Sequence, residues 1–314
     1  LSVIASSSNN VGLCDYLIVG AGIVGLSIAF ELKKRHPAAS IVILEKEPDA
    51  GMHASGRNSG VLHSGIYYGN DTLKAKTCSV SAARMREFAA ENGIACNRSG
   101  KVIIATSEQD LPVIDRLLNN ARENGINAEK LDERGVREIE PHATPYKAGI
   151  YSPDTAVVDS KAVVKKLCEI LTQSGVILTF GSPVIRITPE TKMVSTTEGN
   201  YHYGYLFNCA GASADRIARH FGLVADYALI PFKGIYYKLR PEKNHLVRSN
   251  IYPVPDINQP FLGVHLTRVI SGDVYVGPTA IPAFGRENYG IVQGMELGES
   301  LGGFKSEVQH PGFQ

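Results

Sequence analysis

A chain of 314 residues is too long for one compact βαβ domain and suits two intertwined domains with large cores. Its 32 Lys and Arg against 31 Asp and Glu leave no global field to draw in nucleic acid or an anionic membrane, so no nucleic-acid partner is expected. Five cysteines, Cys14, Cys78, Cys96, Cys168 and Cys209, are odd in number and form no C-x-x-C pair, which argues against a disulfide framework or a zinc site; no metal is expected and a reducing compartment is the default.

No apolar run approaches the ~18 residues of a membrane span, and Leu1 to Gly12 has neither a basic start nor a long apolar stretch. The chain begins without methionine, so a missing upstream piece is expected. From Cys14 to Glu45 it reads as strand, glycine-rich turn, helix and second strand ending in an acid. Tyr16, Leu17, Ile18 and Val19 run into Gly20-Ala21-Gly22-Ile23-Val24-Gly25, after which Leu26, Ile28, Ala29 and Leu32 repeat at helical spacing as far as Arg35. Gly20 suits a sharp strand-to-helix turn, Gly22 lets a pyrophosphate approach the main chain, and Gly25 lets helix and strand pack closely. The helix N-terminus would then offer N–H groups to phosphate. Strand Ile41 to Leu44 delivers Glu45, whose carboxylate can accept from a ribose 2′-hydroxyl and would repel a 2′-phosphate, favouring FAD or NAD over NADP.

A polar, glycine-dotted loop follows through Asn70, long enough to be functional. Within it, Ser55-Gly56-Arg57-Asn58-Ser59-Gly60 would let backbone N–H groups reach a phosphate or a flavin edge, with Arg57 supplying charge. Helices are predicted over Leu73 to Asn92, Leu111 to Asn124, Val136 to Glu140 and Ser160 to Gln173. Strands are predicted over Lys101 to Ala105 and Val176 to Phe180, then a meander over Pro183 to Thr197 and a strand Tyr205 to Asn208 that ends at Cys209-Ala210-Gly211. The remainder, with Gly234 to Leu239, Phe261 to Leu266 and Asp273 to Val276 separated by prolines, predicts a β-sheet lobe.

Three runs carry a resemblance: Ser55 through Tyr68, Leu73-Lys74-Ala75-Lys76, and Gly100-Lys101 before an apolar strand. It continues in Pro231-Phe232-Lys233-Gly234, Ile251 to Asp256, Phe261 to His265 and Val276-Gly277-Pro278. On these residues the chain resembles the FAD-dependent oxidoreductases of the D-amino-acid-oxidase type, and within them the branch that oxidises L-2-hydroxyglutarate. The resemblance implies an α/β fold: a Rossmann-like FAD-binding domain with a β-meander crossover, plus an α+β substrate domain with a mixed or antiparallel sheet. The expected boundaries are 14–92 and 149–222 for FAD, 93–148 and 223–290 for substrate, and tails at 1–13 and 291–314. FAD contacts are expected from Gly20, Gly22, Gly25, Glu45, Lys46, Ser55, Arg57, Asn58, Ser59, Gly60, Val184, Ala210 and Gly211.

The chemistry implied is oxidation of L-2-hydroxyglutarate to 2-oxoglutarate by hydride transfer from C2 to flavin N5. A base must take the hydroxyl proton, and cations must hold two carboxylates. His63 is the first candidate base, His265 the reserve and a substrate contact; Lys233, Tyr67 and Tyr68 are candidate carboxylate anchors, with Arg57 a further one if phosphate does not occupy it, and in a strand the two tyrosines would face opposite sides, so that at most one reaches the pocket. Lysine at 233 departs from the family's usual arginine, exchanging a bidentate fork for a point charge. An amino-acid oxidase and a catalytically inactive FAD-binding fragment are the rival expectations. The family's last segment returns to the FAD domain, and the polar tail to Gln314 shows no such strand and helix, so weak FAD binding and poor turnover are expected of this chain. Partners implied are a small 2-hydroxy dicarboxylate and an electron acceptor, whether quinone, electron-transfer flavoprotein or oxygen. Relatives imply a mitochondrial place in eukaryotes, and in bacteria a cytoplasmic one or peripheral association with the inner membrane.

Overall fold

The computed structural model describes residues 11–256 and 263–296. Expectations at 1–10, 257–262 and 297–314, including Phe261, Leu262 and the end of the polar tail, lie outside the described residues. Contacts divide the chain into two units: Leu1–Arg57, Lys161–Pro231 and Ala283–Gln314 form the first, Asn58–Ser160 and Phe232–Pro282 the second.

This division differs from the boundaries read in the sequence. Residues 58–92 and 149–160 fall in the second unit, and 283–290 in the first. The cause is long-range pairing: Val61–Leu62 and Cys96–Asn97 both pair antiparallel to Ala156–Val158 in a three-stranded sheet, which ties 58–97 to 148–160. The expected tail at 1–13 also shortens, because the first strand already begins at Val11.

The first unit is built on a six-stranded sheet. Asn200–Asn208, Val11–Val19, Ile41–Leu44 and Ile177–Thr179 run parallel in that order, and the hairpin Val184–Thr188/Met193–Thr196 adds antiparallel to Asn200–Asn208 as the expected meander. All four residues of Ile41–Leu44 are buried, as an uninterrupted apolar run in a parallel sheet requires. Helix Ser160–Gln173 buries Val163, Val164, Leu167 and Leu171 along one stripe. Register places the site: Val19 lies opposite both Asn208 and Leu44, so three parallel strands end together at Gly20, Glu45 and Cys209. Carboxyl ends of parallel strands are where such sheets bind ligands.

The second unit carries a seven-stranded sheet in the order Phe232–Lys238, Val274–Pro282, His265–Arg268, Asn250–Pro253, Lys101–Ile104, Ala148–Ser152, Glu129–Asp132. Every neighbouring pair is antiparallel except Asn250–Pro253 with Lys101–Ile104, so the sheet is mixed as expected. On one face Ile114, Leu117 and Ala121 of helix Leu111–Glu123 pack on Ile103, Ala105, Ile150 and Tyr252. The other face holds Val102, Ile251 and Val274 against Val136 of helix Glu133–Ile139. By the two-residue period of a strand, Lys101 belongs to the Ile103 face. Glu140 is fully buried yet satisfied, since its carboxylate accepts from the main-chain N–H of Arg248 and of Ser249.

Tyr67 and Tyr68 are not in a strand. They lie in a turn in which Tyr68 N–H donates to the Gly65 carbonyl at 3.1 Å, because Gly65 takes a left-handed φ of 94° and turns the chain. Beyond Pro282 the described residues form neither helix nor strand.

Candidate functional site

The first constellation lies within the first unit. Gly20 has a φ of 106°, and a Cβ there would sit 2.4 Å from the Cys209 carbonyl oxygen. A Cβ at Gly25 would lie 2.0 Å from the Gly20 carbonyl oxygen, so any side chain would force helix Ile23–Arg35 off the strand. At Gly22 the only near atom among the described residues is Ser55 Oγ at 3.1 Å, which leaves the backbone approachable. Gly22 is the helix N-cap and supplies no side chain of its own; Ile23 N–H donates to Ser55 Oγ at 2.9 Å. Buried Glu45 accepts from Ala21 N–H at 2.8 Å and from Glu47 N–H at 3.0 Å, which fixes the turn against the second strand. Gly211, with a φ of 55° and open space where a Cβ would be, follows Ala210 at the end of the adjacent strand. A bare backbone cradle, a helix end whose N-cap residue has no side chain and an acid one strand over suit an adenine dinucleotide such as FAD.

Other residues expected to hold FAD have different placements. Lys46 Nζ pairs with Glu47 and, at 2.6 Å, with Glu287. Glu47, His53 and Glu287 gather as a metal-like donor set, but the Lys46 ammonium is already their cation. Arg57 donates through Nε to the Met52 carbonyl at 2.8 Å, lies 4.1 Å over the Tyr289 ring, and lines a cleft of about 640 Å³ with Gly51, Gly56, Lys161 and Lys165. Neither Gly20 nor Glu45 lines that cleft. Asn58 and Gly60 lie in the second unit, where Asn58 Oδ1 accepts from Gly60 N–H and the Gly60 carbonyl accepts from Val158 N–H at 2.9 Å; Ser59 stands between them. A Cβ on Gly60 would reach the Val158 carbonyl oxygen at 2.1 Å, so this glycine serves the three-stranded sheet. Val184 packs against the first unit's core at the start of its strand.

The second constellation lies within the second unit, around Tyr252. His265 stacks on the Tyr252 ring at 4.0 Å, and His63 meets it edge-on at 6.2 Å. Both candidate bases therefore flank one aromatic ring. His265 Nδ1 lies 2.9 Å from the Gly263 carbonyl, which requires the proton on Nδ1 and leaves Nε2 with a lone pair. Burial, followed by the charges of Lys101 and His265, pulls His63 down to about 4. Burial likewise lowers His265. Both imidazoles are neutral at physiological pH, the state a base requires. Burial raises Tyr252 to about 12 and carries Tyr67 higher still.

Sequence reasoning did not single out Lys101 or Tyr252 as site residues. Lys101 is fully buried, with its Nζ 4.4 Å from the Tyr67 ring centre and 5.4 Å from that of Tyr252. The available signal was a lysine opening an otherwise apolar strand, Lys101-Val102-Ile103-Ile104, in the middle of a sheet. Lys233 lies on the edge strand Phe232–Lys238, four strands from that of Lys101, and Tyr68 receives Lys74 over its ring at 5.4 Å. Of the expected substrate or base residues, the structure gathers His63, Tyr67 and His265.

The profile of the FAD dependent oxidoreductases matches residues 15–299. The chain belongs to this family. It is 38% identical over 310 residues to the L-2-hydroxyglutarate dehydrogenase of Indibacter alkaliphilus, a match covering 95% of this chain and 74% of that protein. It is 38% identical over 299 residues to the mitochondrial L-2-hydroxyglutarate dehydrogenase of Homo sapiens, covering 90% and 64%. Among solved structures, this oxidoreductase resembles the FAD-bound L-alpha-glycerophosphate oxidase of Mycoplasma pneumoniae, with a TM-score of 0.77 at 23% identity over 88% of this chain and 73% of that one. It also resembles the L-proline dehydrogenase of P. horikoshii, with a TM-score of 0.76 at 18% identity over 94% and 77%. At such identities the structural likeness establishes the fold. Membership of the family makes the chain a flavoprotein oxidoreductase, whose chemistry requires a small-molecule donor and an electron acceptor.

Proposed function

We propose that the chain oxidises L-2-hydroxyglutarate to 2-oxoglutarate. Two supports meet: relatives named for this activity at 38% identity, and a site in the second unit suited to deprotonating a hydroxyl. The observation that carries it is the pair of neutral histidines against Tyr252, one stacked on the ring and one edge-on to it. His63 takes the hydroxyl proton of the 2-hydroxy acid. His265, held through Nδ1 by the Gly263 carbonyl, keeps Tyr252 in place and presents Nε2. Apolar packing by Ile103 and Ile150 on the same face keeps water from competing for the imidazoles. FAD, when bound, supplies the two-electron acceptor for the C2 hydrogen. Gly22 would leave its pyrophosphate room, Gly20 and Gly25 shape the turn beneath it, Ser55 orders the helix end, and buried Glu45 holds the turn through the Ala21 and Glu47 N–H groups.

The test is the visible spectrum of the purified chain before and after anaerobic addition of L-2-hydroxyglutarate, with glycine and L-lactate as controls. Bleaching by L-2-hydroxyglutarate alone is the expected result. Bleaching by glycine would sink the reading in favour of an amino-acid oxidase. A flavin spectrum that no donor changes would leave a cofactor-binding protein without this activity.

A further inference from the structure

The second unit treats its two fully buried charged side chains differently. Glu140 receives N–H donors from Arg248 and Ser249, as a structural charge must. Lys101 Nζ has no acceptor for its N–H groups, and it is not alone: Tyr67 Oη and His63 Nδ1 are also buried with no hydrogen-bond partner among the described residues. Folded proteins satisfy nearly all such atoms, so a group of three around one aromatic ring marks the place of something that binds there. Lys101 and Tyr67 are donors, which asks for an acceptor-rich group, and the cation asks for negative charge.

We propose that Lys101, assisted by the Tyr67 hydroxyl, is the residue that receives a carboxylate of the 2-hydroxy acid. This rests on the proposed function and names the cation that the reading lacked, since Lys233 lies on the edge strand. Lys101 stands opposite Asn250 and Ser152 in register, both uncharged, and the other titratable groups around it are His63, His265, Tyr67 and Tyr252. Burial alone draws Lys101 down to about 7. An arriving carboxylate therefore holds the proton on Lys101 and cancels the charge that disfavours protonation of His63. Substrate binding makes His63 the stronger base.

The test uses the full chain in excess FAD, as wild type, Lys101→Met and Lys101→Arg. Binding of 2-oxoglutarate is measured by calorimetry at pH 6.5 and 8.5, and thermal stability is measured without ligand. In the wild type, affinity should fall by about tenfold per unit of pH above about 7 as the free lysine discharges. Lys101→Met should bind about 100-fold more weakly while melting no lower than wild type, because it removes an unpaired buried cation. Lys101→Arg should restore binding and lose the alkaline decline. A Met variant that binds within threefold of wild type overturns the proposal. So does one that melts several degrees lower with binding not restored by arginine, since that marks a structural lysine. Wild type that is reduced by L-2-hydroxyglutarate while Lys101→Met keeps its KM overturns the anchor alone; wild type that neither binds 2-oxoglutarate nor is reduced overturns both.

Discussion

His63 is buried beside a lysine instead of a carboxylate, and this decides which protonation state the fold selects. A neighbouring acid would raise an imidazole's pKa; burial with Lys101 and His265 lowers it to about 4. The acid limb of kcat/KM, which reports the free protein, is accordingly expected near pH 4 and not near the 6.5 of an ordinary histidine. The same shift has a stability side. Because the folded pKa is depressed, the neutral ring's contribution is fully present above about 6.5 and is lost as pH falls toward 4. Replacing His63→Asn should slow flavin reduction by about 10²–10⁴-fold, the usual loss of a positioned base. It should leave FAD occupancy unchanged, since the glycine cradle belongs to the other unit. Stopped-flow reduction and the 450 nm-region absorbance of the loaded protein, compared at pH 5 and 7.5, check both parts. An unchanged rate would move the base role to His265.

At the scale of elements, the turn between Val11–Val19 and Ile23–Arg35 sets its glycines apart by what a side chain would meet. A methyl at Gly25 would meet a backbone oxygen at 2.0 Å, and no rotamer relieves it. A methyl at Gly22 meets only Ser55 Oγ at 3.1 Å. Gly25→Ala should therefore lower stability by about 2 kcal/mol or more, an overpacking loss. Gly22→Ala should leave the melting temperature nearly unchanged but weaken FAD binding by at least about tenfold, because the methyl occupies the pyrophosphate's approach. Melting curves and FAD titration on the two variants check the contrast; equal loss of stability in both would show that the turn has one role only. This turn was legible because apolar run, glycines, helical repeat and acid are contiguous, and helix Ser160–Gln173 was legible to its ends because its stripe is regular. Glu129–Asp132 was not, being a polar edge strand whose pattern is a loop's. Nor was the turn at Tyr67, where two adjacent tyrosines imitate a strand and only the backbone at Gly65 decides. Lys101 carries part of the resemblance and opens a predicted strand, yet its site role is not legible for a related reason: lysine in sequence signals solvent, and only pairing on both sides of its strand puts it at the centre of a sheet.

For the whole molecule, the chain crosses between its two units after Arg57, Ser160, Pro231 and Pro282. Sequence adjacency cannot reveal such crossings, because Gly60 with Val158 and Lys101 with Asn250 pair over long separations. The last return, after Pro282, has no helix or strand among its described residues to hold it. Side chains take that role within the first unit. Arg286, whose side chain is 6% exposed, forms a bidentate pair with Asp215, 11% exposed, in the first turn of helix Ala214–Arg219. Arg286 also donates to the Ala212 carbonyl, and Arg216 pairs with Glu296 at 2.9 Å. Removing the guanidinium strands a nearly buried carboxylate, and Arg219 at 3.3 Å compensates only in part. Arg286→Met should thus destabilise the protein by about 2–3 kcal/mol at pH 7, somewhat below the usual loss for breaking a buried pair. The pH dependence fixes the mechanism. The Arg286 hydrogen bond holds the Asp215 carboxyl below its ordinary 3.8, so the pair's contribution is complete above about pH 4 and is lost as pH falls through the folded value. Wild type and variant should therefore differ fully at pH 7 and 5 and converge in strong acid. Denaturant melts at pH 7, 5 and 3 measure this, and a difference that stays constant down to pH 3 would mean that Arg286 acts by packing and not by its charge.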